Sequence, residues 1–323
     1  SGLSITRLAE CYPEDKRSFF YGVHMFNPPY QLPLCELTAS PYSDMKIYSD
    51  LKGYLSTKLF RTVAESKDLP AFLGNRIGFY FINEALLYAE IYQDNGGIDY
   101  IDAILGPFSG RSMPPITTAD FVGLDIHKAI MDNLYANTDD YVHDKFVMPE
   151  YVQKLINMGY LGRKREKGLY RLIKGENGFK RMMVWDIKEG GFRDTINYSF
   201  PFALKMKEYL KVGDYDKAIL ELVNNHSQEA DICLRFLLRY IIYALWTAEH
   251  VGYDLRVADD VMATGFTWCP PFAMMEAFSR VCDLGQLMKN RLTPEIVGSV
   301  DIDHIISEQI KSKYDYRIYF KAK

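Results

Sequence analysis

Two apolar segments near the start of the chain each contain one ionisable residue, and this pattern constrains the fold more than any other. Residues 19–26 and 32–38 are rich in aromatic and aliphatic side chains, and two prolines lie between them, which predicts two buried β-strands. The first strand contains His24 and the second contains Glu36. Because burial of an unpaired charge is costly, we expect these two side chains to pair.

A pair of this kind can serve either structure or catalysis. A carboxylate that accepts a hydrogen bond from one imidazole nitrogen fixes the tautomer of the ring and leaves the other nitrogen as a proton acceptor. A histidine in an apolar strand is, however, more often a hydrogen-bonded core residue. The spacing of His24 and Glu36 alone leaves both interpretations open.

The composition argues against several classes of protein. With 323 residues, 48% of them hydrophobic, the chain is long enough for two domains and can form a folded core. The formal net charge is −4 and the basic residues are scattered, so we expect no nucleic-acid partner. The longest apolar segment, 236–248, contains Arg239 and is shorter than the ~20 residues that a membrane span needs. We predict a core helix there and no membrane span.

The cysteines and most of the histidines show no functional spacing. The five cysteines form neither a C-x-x-C pair nor a zinc-ligand pattern, which predicts buried thiols in a reducing compartment, the cytoplasm, and no metal site. His127, His143, His250 and His304 have no neighbours at ligand spacing, and we expect them at the surface or at helix ends.

Three motifs in series resemble the 3-hydroxyacyl-CoA dehydrogenases of fatty-acid β-oxidation. The series consists of His24 with the following M-F-N-P-P, of Glu36 twelve residues after the histidine, and of residues 68–76, which read DLPAFLGNR. The family pattern is H-x-F-N-P, then E, then D-x-P-G-F-x-x-N-R, and Ala71 stands where the family has glycine. The resemblance implies that His24 is the catalytic base, that Glu36 holds its ring, and that Asn75 positions and binds the substrate.

The resemblance also concerns the start of the chain. In the family, a serine in an S-x-L-x-I segment contacts the substrate, and Ser1 takes that place here. The family has a βαβ unit with a G-x-G-x-x-G turn upstream, whereas this sequence contains no such turn. We therefore expect NAD to be the cofactor of the intact protein and its binding motif to be absent from this chain. We also expect the chain to be a C-terminal fragment that is inactive alone.

The rest of the sequence is dominated by helical periodicity. Amphipathic patterns predict helices over 43–59, from 70 to about 94, and over 148–158, with one more strand over 59–64. Residues 172–195 are polar and contain glycines, which predicts a hairpin-like connection with a short strand.

The second half of the chain repeats the first. Glu249 follows Glu90 by 159 residues, and Asp260 follows Asp102 by 158, which indicates that one helical unit occurs twice. Leucine stands in the second copy where Asn75 stands in the first, so we expect the second copy to be structural. In duplicated members of the family the two copies bury against each other the face that shorter relatives bury in a homodimer. We expect this internal pair in place of, or in addition to, a homodimer.

These observations predict a mainly α fold with three parts. Residues 1–67 form the remnant edge of a Rossmann-type α/β domain, and residues 68–178 and 179–323 form two repeated helical domains of the dehydrogenase C-terminal type. The predicted activity is NAD-dependent oxidation of (S)-3-hydroxyacyl-CoA to 3-oxoacyl-CoA, with acyl-CoA as the bound partner.

Two other functions remain open at the level of sequence. The chain could be a non-catalytic helical module that supports assembly or binds acyl-CoA in a fused β-oxidation protein. It could also be another enzyme with β-hydroxyacid dehydrogenase topology, which the N-P-P turn and the twelve-residue interval between His24 and Glu36 disfavour.

Overall fold

The computed structural model describes residues 2–174, 180–307 and 310–322, and the predicted site residue Ser1 lies outside them. The predicted mainly α class is confirmed, with small sheets beside the helices. The helices are α1 (Ile5–Glu10), α2 (Met45–Thr57), α3 (Gly74–Ile91), α4 (Ile98–Ile104), α5 (Pro115–Val122), α6 (Leu124–Asn137), α7 (Glu150–Asn157), α8 (Pro201–Lys211), α9 (Tyr215–Asn224), α10 (Gln228–Val251), α11 (Val257–Val261), α12 (Pro271–Ser279), α13 (Leu284–Arg291), α14 (Pro294–Ser299) and α15 (Ile302–Ser307). The strands are β1 (Tyr21–Met25), β2 (Leu34–Ala39), β3 (Thr62–Ser66), β4 (Tyr170–Lys174), β5 (Lys180–Asp186) and β6 (Gly191–Asp194). A π-helical turn spans Met262–Phe266, and short 3₁₀ turns lie at Glu14–Phe19, Gln93–Asn95, Pro107–Ser109, His143–Phe146, Arg163–Arg165 and Tyr316–Ile318.

The first sheet contains the strands predicted around the prolines. β2 is its middle strand, antiparallel to β1 and parallel to β3. Five of the six residues of β2 are buried, because Leu34, Cys35 and Leu37 supply apolar side chains and the polar ones find partners. This sheet therefore confirms both predicted strands and the additional strand that we expected after the helix at 43–59.

Asp68 connects the end of this sheet to α1. Its carboxylate accepts hydrogen bonds from the backbone N–H groups of Ile5 and Thr6 and from the hydroxyls of Ser4 and Thr6. These N–H groups lie at the start of α1, where a helix lacks internal acceptors. Burial acts to raise the pKa of Asp68, but the four hydrogen bonds outweigh it and lower the pKa below its ordinary value.

The two longest helices, α3 and α10, form much of the core. Residues 74–86 of α3 are all buried, which explains why apolar side chains occur on every side of that segment. The apolar segment 236–248 lies within α10, as predicted for a core helix. Among the residues that the structure describes, no helix is long and apolar enough to cross a membrane.

The connection predicted over 172–195 forms a second sheet. β4, β5 and β6 pair as an antiparallel meander in that order. Residues 175–179 of this region lie outside the described part of the chain. Arg193 on β6 donates to both carboxylate oxygens of Asp99, at 3.0 and 2.7 Å, so the sheet is fixed to the start of α4.

The chain forms two compact units, and neither is continuous in sequence. One contains the chain up to Gly78 together with Leu238–Tyr316, and the other contains Phe79–Leu237 together with Arg317–Lys323. Both α3 and α10 therefore contribute residues to both units. The predicted division into 1–67, 68–178 and 179–323 follows the sequence repeat and stays a prediction.

One contact occurs twice in the chain at a spacing close to the predicted repeat. Asp102 accepts a hydrogen bond from the N–H of Ile116 at 2.8 Å, and Asp259 accepts one from the N–H of Phe272 at 2.8 Å. In each case a buried carboxylate binds the start of a later helix. The residue equivalent to Asp102 by this contact is therefore Asp259 and not Asp260, which the sequence spacing indicated. The repetition of whole domains stays a prediction.

Candidate active site

The candidate site is built on the pairing of β1 with β2. His24 and Glu36 are direct cross-strand partners, and the Nδ1 atom of His24 lies 2.6 Å from Oε2 of Glu36. The side chain of Glu36 is fully buried, whereas that of His24 is 24% exposed. The predicted contact is therefore present, with the carboxylate inside the protein and the imidazole in partial contact with solvent.

The second oxygen of Glu36 is bound by the beginning of α3. Oε1 accepts hydrogen bonds from the backbone N–H groups of Leu73 and Gly74, at 2.9 and 2.7 Å. The first N–H groups of a helix have no acceptor within the helix, and the positive end of the helix dipole favours a negative charge. Glu36 therefore has three hydrogen-bonding partners and one fixed orientation, and two of those partners are independent of His24.

A left-handed turn brings these two N–H groups to Glu36. Ala71 and Phe72 precede them and have φ angles of 62° and 52°. This conformation costs a residue other than glycine about 1–2 kcal/mol. Ala71 thus adopts the turn that glycine adopts in the family pattern, and the departure from that pattern leaves the donors of Glu36 in place.

Two aromatic rings lie beside the imidazole. The ring centroids of Phe26 and Phe72 are 4.8 and 5.9 Å from that of His24. Both phenylalanines are buried, at 8% and 3% exposure, so they restrict the rotation of the His24 ring. Within the described part of the chain, no residue forms a hydrogen bond with Nε2 of His24, and this atom can receive a proton from a ligand.

Asn75 lies in the first turn of α3, directly after Gly74, and is 8% exposed. Asn75 therefore directly follows one of the two residues whose N–H groups bind Glu36. The contacts of Ser1, the fourth predicted site residue, lie outside the described part of the chain.

Our prediction for His127 was wrong. This residue is fully buried in α6, and its Nε2 atom lies 3.0 Å from Oδ1 of Asn83. Burial lowers the pKa of His127 to about 3. The sequence contained the signal, because Leu124, Met131 and Leu134 lie three, four and seven residues from His127 on the buried face of the same helix.

Two family models match consecutive parts of the chain. Residues 1–68 match the model described as 3-hydroxyacyl-CoA dehydrogenase, NAD binding domain, and residues 72–172 match the model described as 3-hydroxyacyl-CoA dehydrogenase, C-terminal domain. His24 and Glu36 fall within the first match and Asn75 within the second. The chain belongs to the 3-hydroxyacyl-CoA dehydrogenase family.

Similar curated proteins carry related names. The probable 3-hydroxyacyl-CoA dehydrogenase of Bacillus subtilis is 25% identical over 284 residues, which are 86% of this chain and 34% of the relative. The 3-hydroxybutyryl-CoA dehydrogenase of Bradyrhizobium diazoefficiens is 35% identical over 170 residues, which are 53% of this chain and 55% of the relative. A putative fatty acid oxidation complex trifunctional enzyme of Rickettsia felis is 27% identical over 98% of this chain and 42% of its own length. The chain therefore spans about a third to a little over half of these relatives.

A solved structure shows the same fold over most of the chain. The crystal structure of 3-hydroxybutyryl-CoA dehydrogenase from Escherichia coli K12 aligns with a TM-score of 0.63 over 94% of this chain and 73% of that one. The sequence identity is 15%, so this similarity concerns the fold alone.

The match over residues 1–68 corrects our prediction for the first part of the chain. We expected a remnant without the NAD-binding motif, in a C-terminal fragment that is inactive alone, and the comparison does not support this expectation. The glycine-rich turn is one element of a dinucleotide-binding domain. The strands that carry His24 and Glu36 belong to the matched segment, so the missing turn was too narrow a basis for excluding the domain.

Proposed function

We propose that this chain carries the proton-transfer site of an NAD-dependent dehydrogenase that oxidises (S)-3-hydroxyacyl-CoA to 3-oxoacyl-CoA in fatty-acid β-oxidation. One observation carries the proposal: the N–H groups of Leu73 and Gly74 bind Glu36, Glu36 binds Nδ1 of His24, and the side chain of His24 is 24% exposed. Family membership and the names of the relatives support the same class of substrate.

His24 acts as the general base. Oxidation of a secondary alcohol removes the O–H proton, while the hydrogen on the carbon that bears the hydroxyl group leaves as hydride. The Nδ1–H group of His24 donates a hydrogen bond to Glu36, which leaves the lone pair of Nε2 free to accept the substrate proton. The neighbouring carboxylate stabilises the imidazolium that forms. In the reverse direction the imidazolium returns this proton to the oxygen of the ketone.

Asn75 positions the oxygen of the substrate. An amide can donate a hydrogen bond to an alcohol or a ketone oxygen without changing its own charge, so the contact persists through the reaction. Asn75 directly follows Gly74, and a single helix start would therefore orient both the base and the substrate. Ser1 is the second substrate contact in this proposal, by resemblance to the family serine.

NAD supplies the hydride acceptor when it is bound. The chain contains no G-x-G-x-x-G turn for the phosphates of NAD, and we assign no cofactor-binding residue. We further propose a cytoplasmic location and an internal pair of helical units in place of, or in addition to, a homodimer.

Replacement of the base tests the proposal. We expect His24→Ala to lower kcat by ~10²–10⁴-fold while the KM for acyl-CoA changes little, because the substrate keeps its other contacts. NADH oxidation with acetoacetyl-CoA measures both constants. His304→Ala is the matched control, since His304 is exposed. Equal kcat values for His24→Ala and the wild type would reject the assignment, and tight acyl-CoA binding without turnover in the wild type would favour the non-catalytic module.

A further inference from the structure

A phenylalanine from the second half of the chain lies behind the His24 site. Phe266 ends the π-helical turn Met262–Phe266, and its ring meets the ring of Phe26 edge-on, with centroids 5.7 Å apart. Phe26 in turn lies 4.8 Å from the ring of His24. We propose that Phe266 is a positioning residue that fixes Phe26 against His24 and thereby holds the imidazole on Glu36.

Two glycines of α3 provide the space for these rings. A Cβ atom at Gly78 would lie 2.2 Å from Cζ of Phe266, and one at Gly74 would lie 2.6 Å from Cζ of Phe26. Residues four apart lie on the same face of a helix, so both rings pack on one side of α3. Because Gly74 also donates its N–H to Glu36, the helix backbone that receives the rings is the backbone that orients the carboxylate.

The π-helical turn also contacts the strand that carries Glu36. A Cβ atom at Gly265 would lie 2.4 Å from Cδ2 of Leu34, the first residue of β2. Trp268, which is 1% exposed, lies beside Phe266 with ring centroids 5.1 Å apart and limits its movement. π-helical turns often mark functional sites. Here the turn places the ring of Phe266 against Gly78 of α3 and against Phe26, the residue after β1, while Gly265 approaches Leu34 of β2.

This role gives the second copy of the predicted repeat a part in the chemistry without a catalytic group of its own. The expected effect on kcat rests on the proposed function, because kcat reports the position of His24 only if His24 is the base. The tautomer of His24 can be measured without turnover. Measured by ¹⁵N NMR of the histidine rings, it tests the positioning role even in a protein that shows no dehydrogenase activity.

Phe266→Leu is the test, with Phe278→Leu as the matched control. Phe278 is fully buried on α12 of the same compact unit, and within the described residues it forms no ring contact with the site. We expect Phe266→Leu to lower kcat about tenfold with little change in KM, because small displacements of reacting groups are costly. We expect the single Nδ1–H tautomer of His24 to become a mixture. Phe278→Leu should lower the melting temperature and leave kcat and the tautomer unchanged.

Gly78→Ala provides an independent route to the same effect. The added methyl group would displace the ring of Phe266, so this variant should show a similar loss of kcat and a similar mixture of tautomers. Leucine is shorter than phenylalanine and leaves room for the methyl group, so the double variant should lose no more kcat than Phe266→Leu alone.

Two results would overturn the positioning role. The first is a Phe266→Leu protein whose kcat and His24 tautomer match those of Phe278→Leu. The second is a double variant in which the losses from Gly78→Ala and Phe266→Leu multiply, since independent effects combine in that way. A wild-type protein without turnover but with the predicted change of tautomer in Phe266→Leu would reject the dehydrogenase function and retain the positioning role.

Discussion

Replacing Glu36 by glutamine tests whether the carboxylate sets the tautomer of His24. The glutamine oxygen can take the place of Oε1 and accept the N–H groups of Leu73 and Gly74. Its NH₂ group then faces Nδ1 of His24 at the place of Oε2. Because an NH₂ group only donates, the ring must accept at Nδ1 and carry its proton on Nε2. The nitrogen that should receive the substrate proton is then occupied.

The hydrogen bonds at Glu36 decide which orientation the glutamine adopts. The opposite orientation would place NH₂ against two buried backbone donors and leave both without an acceptor, at about 1–3 kcal/mol each. In the favoured orientation the two N–H groups bind a neutral amide oxygen instead of a carboxylate oxygen, and each hydrogen bond weakens by about 1 kcal/mol. Removal of the buried charge of Glu36 offsets part of that loss. We expect the free energy of unfolding to fall by no more than about 2 kcal/mol.

The expected loss of activity is far larger than the loss of stability. Replacement of the aspartate in a Ser-His-Asp triad by asparagine, which also imposes the wrong histidine tautomer, lowers kcat by about 10⁴-fold. We expect Glu36→Gln to lower kcat by ~10³–10⁴-fold for the same physical reason. The measurements are NADH oxidation with acetoacetyl-CoA, urea unfolding, and ¹⁵N NMR of the His24 ring.

Glu65→Gln is the matched control for this experiment. Glu65 lies on β3, beside the strand of Glu36, and is partly exposed in an ion pair with Lys52. Partly exposed pairs of this kind contribute about 0–1 kcal/mol, so the control should retain its stability and its kcat. A kcat for Glu36→Gln within about threefold of the wild type would refute the tautomer argument. A tautomer of His24 that is unchanged in Glu36→Gln would refute it independently of turnover.

Two further predictions concern buried polar groups away from this pair. The pKa of His127 is about 3 in the folded protein and about 6.5 in an unfolded chain, so its contribution to stability is complete above pH ~6.5 and is lost as the pH falls towards 3. Urea unfolding should show that His127→Gln removes a slope of about 1.4 kcal/mol per pH unit below pH ~6, and parallel pH profiles for the two proteins would contradict this. Tyr170→Phe removes the hydroxyl that donates to Oδ2 of buried Asp102 at 2.8 Å, and should lower the free energy of unfolding by about 1.5–3 kcal/mol; an unchanged urea midpoint would show that this hydrogen bond contributes nothing.

Local patterns in the sequence were sufficient for the strands and for the central pair of the site. The apolar segments around the two prolines predicted β1 and β2, because strand formation and turns depend on neighbouring residues. Burial of one histidine and one glutamate in adjacent strands predicted their contact, because each is the nearest partner that can offset the cost of burying the other. The periodicity over 43–59 and 236–248 likewise predicted α2 and the core segment of α10.

The sequence by itself thus determined which residues form the apolar strands and helices and which ionisable groups must be paired within them. Tertiary structure alone decided that the start of α3 binds the second oxygen of Glu36, that Asn83 is the hydrogen-bonding partner of His127, and that Phe266 packs on Phe26. The physical reason is the range of the interactions. Periodicity and turn preference act between neighbours along the chain, whereas these contacts join distant segments and exist only once the helices and strands have packed together.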